Sequence, residues 1–420
     1  RASDGKEYPI KDKSVRMILP SMGRITSELA AAAFRGIGFN AEAAPVPDVQ
    51  TLMLGRANTS CKECLPLILT TASLIESAAR RESSGDKLLY FMPTAPGNCR
   101  FSQYYVFQKM LIEKQRLENV ALLTLTAENN YAGLLTSDQV RVLKSIVVAD
   151  ALDDIKNALL VLSVDHARAE QVFEKQVATI TKCFERGGED LYDVLEGVSE
   201  ELKTIELRFD LSDARKVLLA GEIYVRKNEF CSDAVVRALA KRDIICRRSS
   251  LLEWLYYVDS TLRRDLKEDF TMGKWAALFI TSLLRRNAEK KIKRIFARSG
   301  LYEYEMIDME EILKTGGRLI DPAMSGEAIV VIGTFFNEMI KNVQGMVSIG
   351  PFACMPTRVI ESILSRESQV AGNKRLDSLK NIGTLRKYPA LPFLSIEADG
   401  NPFPQVVEAR LEAFALQVER

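Results

Sequence analysis

Cysteine is the residue type whose spacing in this chain points to chemistry. Cys61-Lys62-Glu63-Cys64-Leu65-Pro66 sets two thiols three positions apart at the head of a helix-like stretch, Leu65 to Ala79. Gly97-Asn98-Cys99-Arg100 follows the apolar run Leu88-Leu89-Tyr90-Phe91-Met92-Pro93, which reads as a buried strand leading into a loop. Gly350-Pro351-Phe352-Ala353-Cys354-Met355-Pro356 repeats that placement after a second strand-like run, Met346 to Ile349. A Cys-x-x-Cys pair at a helix start is open to four readings. It serves thiol redox chemistry, because the helix N-terminus favours a thiolate. It supplies half of a zinc site, although such sites usually draw on two nearby pairs and no second pair occurs. It contributes to an iron–sulfur cluster, which accepts ligands scattered along a chain. Or it is two small apolar residues in a core. Parallel sheets bind ligands outside the carboxyl ends of their strands. Two such sheets facing each other would bring Cys61, Cys64, Cys99 and Cys354 into one cleft. Four thiolates fully ligate a [4Fe–4S] cluster, and Lys62 and Arg100 beside them would moderate its negative charge.

The remaining candidates are weaker. Cys183, within Ile180-Thr181-Lys182-Cys183-Phe184, reads as helix packing, and Cys246 as strand core. Cys231 follows a strand-like run and faces either core or cleft. The single histidine, His166, lies in a polar helical stretch and reads as an exposed residue. One histidine removes the usual parts of serine–histidine hydrolases, multi-histidine zinc sites and carboxylate–histidine iron sites. No Walker-type phosphate loop and no G-x-G-x-x-G after the first strand are present, which argues against nucleotide binding by these motifs. Gly187-Gly188 and Gly316-Gly317 read as turns or helix ends. Glu222 and Tyr224 mark a strand end that lines a cleft or simply terminates in polar residues. The apolar stripes between Leu251 and Arg285 are expected to be core.

Positioning these cysteines requires an alternation of strands and helices, and the sequence carries it twice. Val15 to Pro20, Ala41 to Pro45, Lys87 to Met92 and Val120 to Thr126 read as strands. Helical spacing fills Ser27 to Gly36, Asp48 to Gly55, Leu65 to Ala79, Tyr104 to Leu117 and Ser137 to Val148. From Asp150 to about Ile205 only helical periodicity appears. A second alternation has strands at Arg215 to Val225, Ile244 to Cys246, Gly345 to Gly350 and Pro392 to Glu397. Its helices are Ser232 to Lys241, a long helical stretch Leu251 to Arg298, Glu327 to Lys341, Thr357 to Ser365 and Gln405 to Glu419. The expected organisation is a polar leader (1–14), an N-terminal α/β domain with Cys61, Cys64 and Cys99 (15–149) and a helical bridge (150–210). A C-terminal α/β domain with a helical insert (251–298) and Cys354 completes it (211–420).

Length and composition agree with such a chain. Its 420 residues are enough for two or three domains, with 47% apolar and 27% charged residues. Lys plus Arg (57) against Asp plus Glu (56) argues against nucleic acid as the main partner. No apolar run has membrane-spanning length, and the first residues do not resemble a signal peptide, so no membrane partner is expected. Seven cysteines without a secretory signal fit a reducing, cytoplasmic setting. The start, Arg1-Ala2-Ser3, without Met, reads as that of a fragment or processed piece.

Cys61-Lys62-Glu63-Cys64-Leu65-Pro66, Gly97-Asn98-Cys99-Arg100-Phe101-Ser102-Gln103-Tyr104 and Gly350-Pro351-Phe352-Ala353-Cys354-Met355-Pro356 together resemble the 2-hydroxyacyl-CoA dehydratase family. Phe91-Met92-Pro93-Thr94, Gly221-Glu222-Ile223-Tyr224-Val225 and Arg410-Leu411-Glu412-Ala413-Phe414 add to the likeness. It extends from about Met17 to the end and is most similar to the C-terminal region of large acyl-CoA dehydratase activases. The family's second loop often reads Gly-Pro-Cys-Arg-Phe-Gly-Gln-Tyr; here Asn98 and Ser102 stand in place of Pro and Gly. The resemblance implies two Rossmann-like (flavodoxin-like) domains joined by helices, with an iron–sulfur cluster between them. It also implies a low-potential electron delivered by an ATP-hydrolysing activator, protein or domain, that carries its own cluster, in anaerobic metabolism. A double cubane [8Fe–9S], as in the related double-cubane reductases, needs more thiolates than these four, which favours a single [4Fe–4S].

The expected function is therefore an iron–sulfur oxidoreductase component passing an electron to a substrate in the cleft, for acyl-CoA dehydration or small-molecule reduction. The rival expectation is a non-catalytic relay or scaffold module of a larger activase assembly, and a homodimer is among the assemblies considered. Zinc at the same cysteines is a third reading.

Overall fold

A computed structural model of the chain describes residues 5–60, 62–81, 86–94, 99–124, 134–265, 272–324, 326–379, 382–400 and 405–419. Its first half runs β1 (Val15–Leu19), α1 (Arg24–Gly36), β2 (Asn40–Ala43), α2 (Val49–Ala57), α3 (Leu65–Ala79), β3 (Lys87–Phe91), α4 (Tyr104–Lys114) and β4 (Val120–Leu123). A helical section follows: α5 (Thr136–Leu162), α6 (His166–Glu185) and α7 (Leu191–Lys203). The second half runs β5 (Arg215–Gly221), α8 (Ile223–Lys227), α9 (Glu229–Ala240), β6 (Ile244–Arg248), α10 (Leu251–Asp265), α11 (Met272–Ala297), α12 (Met309–Gly316) and α13 (Ala328–Glu338). It closes with β7 (Gly345–Pro351), α14 (Met355–Glu367), α15 (Ile382–Leu385), β8 (Phe393–Ala398) and α16 (Gln405–Glu419).

The fold is α/β, with two four-stranded sheets, parallel throughout, ordered β2-β1-β3-β4 and β6-β5-β7-β8. The two halves thus repeat one topology, and the chain reverses direction across each sheet between β1 and β3, and between β5 and β7. Parallel strands covered on both faces read as short unbroken apolar runs, which is why Val217, Leu218, Leu219 and Ala220 of β5 are all buried. The largest core cluster joins α1, α5, α6, α7, α11, α12, α13 and α14 around residues such as Leu152, Phe184, Phe296 and Phe336. A second cluster brings Leu65, Ile68 and Leu69 of α3 against Val225, Val347, Ile349 and Phe414 of the second half. The halves are therefore packed together through apolar side chains.

Two expectations need correction. The strand expected to Val225 ends at Gly221, and Ile223–Lys227 is a helix. Glu222 terminates the strand by accepting a bond at 2.8 Å from the N–H of Val225, as an N-cap does. The β-branched and aromatic residues Ile223, Tyr224 and Val225 carry strand propensity, and this cap overrides it. The stripe on α11 is also not all core: Phe279, Leu283 and Leu284 are exposed. Further along that helix the apolar residues Ala288, Ile292, Ile295 and Phe296 turn inward. In addition, α5 is continuous across the join expected at 149/150.

Candidate functional site

The carboxyl ends of the two sheets meet. After β1, the carbonyl of Ser21 accepts from the Asn228 amide at 3.1 Å, and the N–H of Arg24 donates to the Glu229 carboxylate at 2.9 and 3.1 Å. Gly23, at φ +89°, lies so close to the second half that an added Cβ would stand 2.7 Å from the carbonyl oxygen of Lys227. The Arg56 guanidinium donates to the carbonyl of Asp399 at 2.9 Å. The segments expected to carry a cleft site therefore face one another.

Cys64, Cys99 and Cys354 each sit at the start of a helical turn on these ends. Cys64 caps α3 and Cys354 caps α14, each with a proline in the first turn, where a missing N–H removes no helix bond. Cys99 caps the 3-10 turn Arg100–Gln103 that leads into α4. The Cys99 sulfur accepts from the backbone N–H of Phe101 at 3.5 Å. Cys64 is also hydrogen-bonded to the Tyr104 hydroxyl. Ala353, just before Cys354, is held at φ +54°, a conformation an alanine adopts only under local constraint. Its N–H donates to Glu397 at 3.2 Å.

Arg100 ties the three cysteine loops together. Its guanidinium donates at 2.9 Å to the carbonyl of Lys62, between the two cysteines of the first pair, and at 3.0 Å to the carbonyl of Ala353. Both acceptors are one or two residues from a cysteine, and Arg100 itself adjoins Cys99. Cys61 lies outside the described residues. Among the described residues, no three His, Cys, Asp or Glu side chains form a group that could hold a single metal ion.

Burial and nearby carboxyls hold the three thiols toward their neutral form. Burial raises all three, Cys354 to about 12. Arg100 lowers Cys64 and Cys99. Glu222 raises each of the three, and Glu327 raises Cys99 and Cys354. Both carboxyls are themselves raised, chiefly by burial. Helix N-termini favour thiolate over thiol.

Glu327 and Arg226 were not singled out by sequence reasoning. Glu327 precedes α13 as Cys64 precedes α3, each helix leading to the third strand of its half. Its carboxylate pairs at 3.3 Å with Arg226, which is buried and also donates to the carbonyls of Gly221 and Ser249. The only sequence signal was a polar residue opening an apolar run. Burial pushes Glu327 to about 8, with Arg226 lowering it and Glu222 raising it. A carboxyl raised on folding binds its proton more tightly in the folded chain, so its contribution is present below the ordinary carboxylate range and fades as pH rises through 8. Urea unfolding midpoints should therefore fall between pH 5 and pH 8.5, and Glu327→Gln should shrink that fall. An unchanged pH dependence in the variant would show that Glu327 titrates normally.

The other cysteines separate from the site. Cys183 is buried in α6 and donates to Asp190 at 3.3 Å, and Cys246 is buried in β6. Cys231 is buried in α9 and packs with Val225 and Val235. His166 is exposed, with Nδ1 bonded at 2.7 Å to the Ser163 hydroxyl. Among the described residues no helix is long and apolar enough to cross a membrane. Compared with protein-family models, with curated proteins and with solved structures, the chain matches none.

Proposed function

We propose that this chain is an iron–sulfur oxidoreductase component, with Cys61, Cys64, Cys99 and Cys354 holding a [4Fe–4S] cluster at the facing ends of the two sheets. The observation that carries the reading is Arg100, whose one side chain binds both the Lys62 and the Ala353 carbonyls while its neighbour is Cys99. Such a cluster, when bound, supplies one-electron transfer at low potential. The protein's own contribution is to hold the thiolates. The Phe101 N–H is presented to the Cys99 sulfur, Arg100 offsets negative charge, and Tyr104 fixes the Cys64 side chain by hydrogen bonding. The electron would come from an ATP-hydrolysing activator with its own cluster, and the acceptor would be an acyl-CoA or another small reducible molecule.

Anaerobic purification followed by iron, sulfide and zinc analysis tests this directly. The expected result is about four irons and four sulfides per chain, the complement of one cubane. Cys99→Ser should lose most of that iron, whereas Cys183→Ser should retain it. Zinc without sulfide would replace the cluster by a thiolate zinc site, and a chain free of both metals would end the proposal.

A further inference from the structure

A different part of the molecule carries an unbalanced charge. Helices α5, α7 and α11 enclose a concavity of about 560 Å³, lined by Lys144, Lys290, Lys291, Arg294 and Arg298, with Tyr192 in its wall. Glu196 is the one acidic residue in the lining, and it is already paired with Arg298 at 3.3 Å. Among the described residues, Lys144, Lys290 and Lys291 form no ion pair with a carboxylate. Lys291 and Lys144 instead lie over the Tyr192 ring, 3.7 and 4.9 Å from its centre. Two ammonium groups thus share one aromatic ring while further cations stand on the adjoining turns of α11. In a chain with only one positive charge in excess, so many cations around one hollow repel one another unless an anion enters. Lys144 bears the mark: burial first, then Arg141 and Lys291, lower its proton affinity.

We propose that this pocket binds a polyphosphate, a di- or triphosphate chain whether inorganic or carried on a nucleoside. Its volume is that of a small-molecule site rather than of a flat protein contact. Lysines supply point charges and Arg294 a planar fork for phosphate oxygens. A single monovalent anion would leave most of the cations unbalanced, whereas three or four negative charges match them. The pocket is built from the helical section and shares no lining residue with the cysteine site. Lys144 is six residues, about 9 Å of helix, from the Asp150 that faces Lys227. Binding here is independent of cluster loading.

Isothermal titration in phosphate-free, low-salt buffer, with sodium tripolyphosphate and with ATP as probes, tests the site. Saturable binding of one tripolyphosphate per chain is expected, weakening as salt is added. Lys144→Gln with Lys291→Gln should reduce affinity tenfold or more, and Arg294→Gln alone should weaken it in the same direction. Lys109→Gln, an exposed charge on α4 outside the pocket, should bind as the unaltered chain does. Equal affinity for tripolyphosphate and ATP assigns recognition to the phosphate chain, and tighter ATP binding assigns part of it to the nucleoside. Absence of saturable binding, equal affinity in the double variant, or binding of poly-glutamate in preference to tripolyphosphate would overturn the proposal. Thermal melts of the free variants separate loss of binding from loss of folding.

Discussion

Lys227→Met is expected to lower folding stability by about 3–5 kcal/mol, the usual effect of removing one member of a buried charge cluster. Lys227 is only 1% exposed, and its ammonium lies 2.6 Å from Asp150 and 3.1 Å from Asp153. Burial alone would lower its proton affinity, but Asp150, Asp153 and Asp154 more than offset this and raise it. The lysine is therefore charged in the folded chain, at the end of α8 and against the middle of α5. Methionine keeps the length of the side chain and leaves the carboxylates without their cation. Asp150 retains hydrogen bonds from the Ser250 hydroxyl and the Leu251 N–H, so Asp153 is the more exposed to the loss. Adding Asp153→Asn to Lys227→Met should then recover part of the stability, since coupled neighbours do not add. Urea unfolding of the three chains measures both effects. Equal midpoints for Lys227→Met and the unaltered protein would show that the cluster is neutral in sum.

Gly221→Ala is expected to be the second severe substitution, destabilising by about 3 kcal/mol or more. Gly221 ends β5 at φ +103°, where side chains are rarely tolerated, and a Cβ there would stand 2.2 Å from the carbonyl oxygen of Ile349 in β7. The added methyl has to push apart the two strands that bracket the chain reversal of the second sheet. Glu222 is the next residue and Cys354 follows β7, so the same displacement should disturb the cysteine site. The test is a thermal melt together with iron content after anaerobic loading. A variant that melts and loads normally would show that the backbone relaxes cheaply there.

Strands such as β3 were legible as apolar runs bounded by polar or turn residues, as in Lys87-Leu88-Leu89-Tyr90-Phe91. Helix α3 was legible to the residue, since Cys64, Pro66 and the apolar stretch after them mark its start. Helix α8 was not, because Ile223, Tyr224 and Val225 favour a strand locally and the deciding interaction is a cap from Glu222. The placement of Cys64, Cys99 and Cys354 at carboxyl ends of strands or at helix starts followed from local pattern. The link that Arg100 makes between two of their loops did not, because its acceptors are backbone carbonyls and carry no residue signature. Buried Lys227 was equally invisible: it falls between the expected strand and helix, and its carboxylate partners are more than seventy positions away. The pocket cations hid for a similar reason. Lys290, Lys291, Arg294 and Arg298 share one helical region, but Lys144 and Tyr192 arrive from distant turns.

Helix α5 has a mechanical consequence. Its 27 residues make a rod of about 40 Å. Near its start Arg141 holds the carbonyl of Gly36 in the first half. Further on, Asp150 grips Lys227, and Asn157 donates to the carbonyl of Cys246 in the second half at 2.9 Å. A rod fastened at three points to both halves prevents them from swinging apart as the jaws of a hinged binding protein do. Bending it would break the bonds at each fastening, those of Asp153 with Lys227 and of Asn157 with Cys246 being buried. Anything entering between the sheets must therefore be admitted by rearrangement of the rim segments, with the two halves moving as one rigid frame.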